Sequence, residues 1–412
     1  MPRLAPGRLG PAGTIALVVV ALALAAALSV SQGLQERVGQ DFHVFWQAGR
    51  NFATGHPLYH DYLPGARPLK YPPFAAFVFQ PLALFSLQVA GALFSFLNLL
   101  LWALAVWLTR DIVARTFPER NPAALPLVLA VVLSAQFFLD NFHHAQMNGV
   151  ILVLVLLGLR SYLRGHDVRA AGYTVVATAI KVTPIFFVAW LVLRGRRRAA
   201  LAVVPIALAC VLVPLLLRGP ATGAAELVEY YHTFLEGHQH GRIEEYAGGQ
   251  NIAGFVDRMT QPVDNPRHVS YRYLSLSEPA AQTVYRTLWA AVLLIFLARL
   301  ALLRRRKAPL SAFELAMVFL AGLLLSPITF TTHLVSLLFV FAVFLSVPAA
   351  SLPPAARPLA VLLCVAVAVI GLSGRDLAGN AVYEGVGGYS VYVWTMLLLF
   401  ATAVASSRTR PA

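Results

Sequence analysis

Cysteine is nearly absent from this sequence. The two present, Cys210 and Cys364, both lie in apolar runs, so no disulfide framework is expected. Charge is scarce as well, at 12% of residues, with 18 acids against 32 bases. There is no Walker loop, no dinucleotide fingerprint, no CxxC and no HExxH. Nothing therefore supports ATP-driven chemistry, a bound nicotinamide or a common zinc site. No cofactor and no metal are expected. No repeat of about 20–50 residues is visible, which excludes a solenoid.

The chain is dominated by apolar residues. They make up 58% of its 412 residues, and the mean hydropathy is +0.70. Runs such as 14–30, 125–139 and 359–371 carry no charge. Each reads as a transmembrane helix, which needs about 20 apolar residues or somewhat fewer. The expected fold class is an all-α integral membrane protein, a single polytopic domain over 1–412. Spans are expected near 14–31, 88–109, 123–140, 147–163, 170–181, 184–194, 198–217, 281–303, 312–327, 333–348, 356–373 and 389–405. The short apolar stretch 74–86, broken by Pro81, reads as a re-entrant or interfacial piece, or as the start of a kinked span.

The net charge of +14 is not a nucleic-acid signal, because the bases cluster at the ends of apolar runs. Arg110, Arg115 and Arg120, then Arg160, Arg164 and Arg169, "RGRRR" at 194–198, "RRRK" at 304–307, Arg357, Arg408 and Arg410 all fall on one side. The positive-inside rule makes that side cytoplasmic. Arg3 and Arg8 precede a long apolar run, which reads as a retained signal anchor. The alternation works only if "AIKVTP", 179–184, is a break between two short spans, which Pro184 makes reasonable. The opposite side receives a first outer loop, 32–73, a long outer loop, 218–280, and the connection 374–388. It also receives all of the eleven histidines except His166. Polar chemistry is thus gathered on one face, periplasmic or extracellular, of the inner (plasma) membrane.

Several stretches on that face carry candidate chemistry. In "GQDFHVFWQAGRNFATGHPLYHDY", 39–62, Phe42, Phe45 or Trp46, Gly49 and Phe52 or Ala53 recur at three or four residues. That spacing predicts an interfacial amphipathic helix. Asp41 stands at its start, either as a helix cap or as a general base. Tyr59 and Tyr71 suit an interfacial aromatic belt, with Tyr71 a candidate substrate contact. "NFHHAQMNG" offers His144, Gln146 and Asn148 as hydrogen-bonding groups for a polar ligand. "AIKVTP" places Lys181 between apolar runs, where a lysine either snorkels or meets an anion. "YAGGQNIAGFVDRM" presents Gln250 and Asn251 in a Gly-rich turn leading to Arg258. "SPITFTTHLV" puts His333 between two spans.

In this order, "DFHVFWQAGRNFATGHPLY", "KYPPFAAFVFQPL", "HHAQMNGVILVLVLLGL", "AIKVTPIFFVAWLVLRGRRRA", "GGQNIAGFVDR" and "LLSPITFTTHLV" resemble glycosyltransferase family 87 over about Asp41 to His333. The resemblance implies a GT-C type multi-span bundle with its active site on the outer face. It implies transfer of a sugar, mannose in the mycobacterial members, from a polyprenyl phosphate to an acceptor hydroxyl. The expected partners are thus a polyprenyl-phosphate sugar donor, a lipid or glycan acceptor and membrane lipids, with no nucleic acid. The family's acidic residue in the first outer loop matches Asp41. Two of its motifs depart here: its NQS-type turn is Gly249-Gln250-Asn251, and its paired-histidine motif keeps only His333. Arabinofuranosyl transfer is also known in the family, so acceptor and linkage stay open.

The expected chemistry follows. Asp41 takes the acceptor's proton, and Lys181, Arg258 and His333 neutralise the departing lipid phosphate. The alternative reading is a secondary transporter or lipid flippase, which carries ionisable residues near the bilayer midplane and internal repeats.

Overall fold

A computed structural model describes residues 11–34, 40–59, 69–117, 124–236, 248–260, 274–347, 354 and 357–407. Arg3, Arg8, Arg120, Arg408, Arg410 and the loop portions 35–39, 60–68, 237–247 and 261–273 lie outside the described residues.

The described residues form helices and no strands. In chain order they are α1 (Pro11–Gly33), α2 (Gln40–Thr54), α3 (Pro73–Phe79), α4 (Leu87–Thr116), α5 (Ala124–His143), α6 (Asn148–Leu163), α7 (Asp167–Ile180), α8 (Ile185–Leu193) and α9 (Arg197–Arg218). There follow α10 (Pro220–Tyr230), α11 (Ile252–Thr260), α12 (Glu278–Arg305), α13 (Ala312–Leu325), α14 (Leu337–Leu345), α15 (Arg357–Leu372), α16 (Arg375–Ala378), α17 (Asn380–Gly388) and α18 (Val391–Ser406). A 3-10 turn, Thr331–Ser336, leads into α14.

Among the described residues four helices, α4, α5, α9 and α12, are long and apolar enough to cross a membrane, and the pair α17–α18, bent by 54°, makes a fifth if counted as one span. The chain is an all-α multi-pass membrane protein. Other expected spans are shorter: α6 has 16 residues, α13 has 14 and α15 has 16. At 1.5 Å per residue such helices reach only about 21–24 Å, less than the roughly 30 Å of a bilayer core. For α13 the apolar sequence has another cause. It is enclosed by protein, with Leu315, Met317, Val318 and Leu320 fully buried. A helix that is hydrophobic all round belongs inside a bundle as readily as in lipid. The segment 374–388, expected as an outer connection, is also largely helical, as α16 and α17.

The break expected at 179–184 is present. Helix α7 ends at Ile180, Lys181 is extended, and α8 starts after Pro184. Proline has no amide hydrogen and its ring blocks the preceding turn, so one helix cannot run through.

The stretch 74–86 forms α3 and a 3-10 turn, Gln80–Leu84, before Ser86 caps α4 by accepting from Val89 N–H. Helix α2 lies against this piece. Phe42, Phe45, Ala48 and Phe52 are its buried stripe, as their spacing requires. Phe45 stacks on Phe79 at 4.8 Å and Phe42 on Phe94 at 5.1 Å. The far end of α2 is held differently. Arg218, ion-paired with Glu226 at 2.5 Å, donates to the carbonyls of Asn51, Phe52 and His56 at 3.2, 3.3 and 2.7 Å. The first two are acceptors that the C-terminus of α2 leaves open, and the third follows just beyond it. The helix bearing Asp41 is therefore fixed at both ends.

Its approach to α3 depends on Gly49, where an added Cβ would meet the Phe79 carbonyl oxygen at 2.6 Å. Backbone cannot rotate aside as a side chain can. Gly49→Ala is expected to tilt α2 and to destabilise the protein by about 1–3 kcal/mol. The check is a lowered unfolding midpoint in detergent together with lost activity. An unchanged midpoint would show that α2 packs more loosely than this.

Candidate active site

Asp41 is the second residue of α2, within its first turn. A carboxylate there is favoured by the positive end of the helix, so this structural role holds whatever else it does. Its Oδ2 accepts a 2.7 Å hydrogen bond from Nε2 of Gln146. Gln146 sits in the tight turn between α5 and α6, which Ala145 enters with a positive φ of 44°. The turn is braced by a small amide ladder. Gln146 N–H donates to the Asn141 carbonyl at 2.9 Å, and Asn141 Nδ2 donates to the Gln146 carbonyl at 3.2 Å and to Asn98 Oδ1 at 3.3 Å. Gln146 is buried. The carboxylate is therefore aimed by a buried side chain whose backbone is fixed.

Lys181 reaches the same place from the α7–α8 break. It is only 7% exposed, and its Nζ donates to Asn148 Oδ1 at 2.6 Å. The Tyr71 ring lies below it, with Nζ 5.5 Å from the ring centre. The Asp41 carboxylate acts on this ammonium electrostatically. The third contact of Lys181 is His333 Nε2, at 2.8 Å.

The hydrogen-bond directions around His333 carry information. Phe330 N–H donates to His333 Nδ1 at 3.0 Å. A neutral imidazole that accepts at Nδ1 carries its proton on Nε2. That proton points at the Lys181 nitrogen, itself a donor when charged. Two donors cannot satisfy each other, so the 2.8 Å contact fits a free amine accepting from Nε2–H, while a charged ammonium calls for an acceptor that both groups reach from the side. An anionic oxygen is such an acceptor. One more donor is at hand: Asn148 Nδ2 is buried and meets no acceptor among the described residues.

Tyr71 borders this group. Burial first, and the Asp41 charge second, push its phenol far above the ordinary range, so it stays a hydroxyl. His144 stands to one side. Its Nδ1 is 3.2 Å from Asp140 Oδ1, and that hydrogen bond is the main cause that lifts its pKa to about 9. The imidazole is thus charged at neutral pH. Asp140 also accepts a hydrogen bond from Thr331 Oγ1.

Asp41, Tyr71, Gln146, Asn148, Lys181 and His333 are brought together from five separate stretches of chain. Gln250, Asn251 and Arg258 are placed differently. Arg258 is 2% exposed and donates to Ser390 Oγ at 3.0 and 2.8 Å, to the Gly249 carbonyl, and to Gln250 Oε1 at 3.4 Å. Asn251 Nδ2 donates to the carbonyls of Ser326 and Pro327 at 2.6 and 2.7 Å, while its Oδ1 accepts from Gly254 N–H. Gln250 N–H donates to the Thr329 carbonyl. These contacts clamp the Gly-rich turn onto the segment that precedes His333 and onto the bend before α18. Ser390, at φ 56° in that bend, is a partner the sequence did not announce. Neither were Tyr383 and Arg375, which lie near Asp140 in a segment expected only as a connection.

The profile of glycosyltransferase family 87 matches residues 69–327. The chain is 30% identical over 378 residues to a polyprenol-phosphate-mannose-dependent alpha-(1-2)-phosphatidylinositol mannoside mannosyltransferase of Mycolicibacterium smegmatis, covering 83% of this chain and 78% of that protein. It is 29% identical over 311 residues to a protein of the same description from Mycobacterium tuberculosis, covering 71% and 65%. It is 28% identical over 303 residues to a Mycobacterium tuberculosis polyprenol-phosphate-mannose-dependent alpha-(1-2)-phosphatidylinositol pentamannoside mannosyltransferase, covering 71% and 63%. No solved structure matches significantly. These similarities set aside the transporter and flippase reading: the chain is a membrane-embedded enzyme of the all-α GT-C type and belongs to glycosyltransferase family 87.

Proposed function

We propose that this enzyme moves a mannosyl group from a polyprenyl-phosphate donor to a hydroxyl of a lipid or glycan acceptor, at the outer face of the inner (plasma) membrane. The observation that carries the reading is that one half-buried carboxylate, Asp41, acts electrostatically on a buried Lys181 that itself touches His333. The described names of the relatives supply the donor class and a phosphatidylinositol mannoside as the kind of acceptor.

The steps balance without another reactant. Asp41, held by Gln146, removes the acceptor hydroxyl's proton as its oxygen bonds to the anomeric carbon. The bond from that carbon to the phosphate oxygen breaks, and its electron pair leaves with the lipid phosphate. Lys181 Nζ and His333 Nε2–H face the growing charge, and Asn148 Nδ2 offers a further donor. Such preset donors act most strongly where water is excluded. Tyr71, beneath Lys181, fits a sugar or phosphate contact. Arg258, Gln250 and Asn251 act through the backbone that carries His333, as positioning residues. Bilayer lipid surrounds the bundle and delivers the prenyl chain.

The direct test supplies purified enzyme with radiolabelled polyprenyl-phosphate mannose or with a nucleotide-mannose. Transfer is expected from the first alone, and transfer from the nucleotide sugar would overturn the reading. The face is tested separately. After Cys210 and Cys364 are replaced, His232→Cys is expected to react with an impermeant thiol reagent in intact cells, and Arg306→Cys is not. Both positions are exposed. Reversed labelling would move the active face to the cytoplasm.

A further inference from the structure

Next to the Asp41 cluster stands a second polar group that the proposed reaction leaves unused. Asp140, in the last turn of α5, receives Thr331 Oγ1 and His144. Tyr383 of α17 places its hydroxyl 3.3 Å from Thr331 Oγ1. Arg375 of α16 lies over the Tyr383 ring, 5.0 Å from its centre. These residues come from three stretches distant in sequence: 140–144, 331 and 375–383.

The two groups are neighbours. Thr331 and His333 share one 3-10 turn. His144 and Gln146 share another turn, and the Asp41 charge acts on His144. A molecule held at Asp140 therefore has part of its length near the Asp41 carboxylate.

A purely structural latch would explain the Asp140–Thr331–Tyr383 contacts, which tie α17 and the 3-10 turn to α5. It does not explain Arg375. Its guanidinium is exposed, lies on a ring face and makes no hydrogen bond to any described residue. Five N–H donors in a planar fork are thus presented beside a carboxylate and a phenol, with His144 as a second cation. The fork matches a phosphodiester, while a carboxylate with spare lone pairs and a phenol match vicinal hydroxyls.

We infer that this cluster is the docking site for the acceptor, an anionic, polyhydroxylated lipid head group: Asp140 and Tyr383 hold its hydroxyls, and Arg375 with His144 holds its phosphodiester. The inference rests on the transferase reading above and adds where the acceptor sits and why its charge matters.

The test uses the full-length enzyme in nanodiscs with two acceptors. One is a phosphatidylinositol mannoside, and the other a mannosyl diacylglycerol, which lacks the phosphate. Arg375→Gln is expected to raise KM for the anionic acceptor by about 10- to 100-fold, the loss of one charge-assisted contact. It should leave KM for the neutral acceptor and for the donor within about twofold, on the same scale. A changed donor KM, or equal KM values for the anionic acceptor in both proteins, would overturn the inference. If the unaltered enzyme transfers no sugar at all, the transferase reading fails, yet the docking site is still decided by calorimetric binding of a deacylated phosphatidylinositol mannoside. Binding lost in Arg375→Gln supports the site, and equal binding removes it.

Discussion

Asp41→Asn is expected to lower sugar transfer by about 10²- to 10⁴-fold, the usual contribution of a general base. The variant isolates the proton-accepting role because little else changes. Asparagine has the same size, and its side-chain oxygen still accepts from Gln146 Nε2, which lies 2.7 Å from Asp41 Oδ2. It also remains tolerable in the first turn of α2. The amide cannot hold the acceptor's proton. Expression, membrane insertion and unfolding midpoint should match those of the unaltered enzyme, while turnover with labelled donor collapses. Retained turnover would reduce Asp41 to a helix-end charge. Gln146→Ala should give a milder loss, because it frees the carboxylate without removing it.

The second large effect is expected at Lys181. Lys181→Gln removes the charge and keeps a polar N–H donor, one atom short of the Nζ that now lies 2.6 Å from Asn148 Oδ1. Loss of one charge-assisted contact to the leaving phosphate costs about 1.5–3 kcal/mol, or roughly 10- to 100-fold in kcat/KM for the donor. Acceptor KM should not move. The measurement varies donor at saturating acceptor, then acceptor at saturating donor. Equal changes in both would mean that the substitution disturbs the whole cluster, and no change would return Lys181 to interfacial anchoring. Its 7% exposure argues against simple snorkelling, because a snorkelling ammonium ends in water.

Much of the architecture is legible from one dimension. Apolar runs announce a membrane protein because a spanning helix must hide every backbone polar group within itself. Basic residues at run ends predict an orientation, which the thiol-labelling test addresses. The spacing of Phe42, Phe45 and Phe52 predicts α2 with its buried face, and Pro184 predicts the break at Lys181. These are local properties, fixed by helix geometry and by one missing amide hydrogen. The ordered motifs add the family, and with it the expectation placed on Asp41.

The tertiary structure decides which polar residues share a site. Sequence places Lys181, Arg258 and His333 together as cations for a phosphate, since all three stand on one predicted face. In three dimensions Lys181 and His333 touch, while the Arg258 guanidinium is spread over Gly249, Gln250 and Ser390. A buried guanidinium demands several acceptors at once, and backbone carbonyls of a Gly-rich turn satisfy it as well as phosphate does. Nothing along the chain distinguishes the two outcomes. Likewise Gln146 reads as one polar residue among several until its amide is seen on Asp41, and Arg375 reads as a loop charge until it lies over Tyr383 beside Asp140. Helix periodicity says which face of a helix turns inward. Which side chains then meet depends on how α2, α5, α7 and the turn before α14 pack against one another, and a hydrogen bond reaching about 3 Å is decided only there.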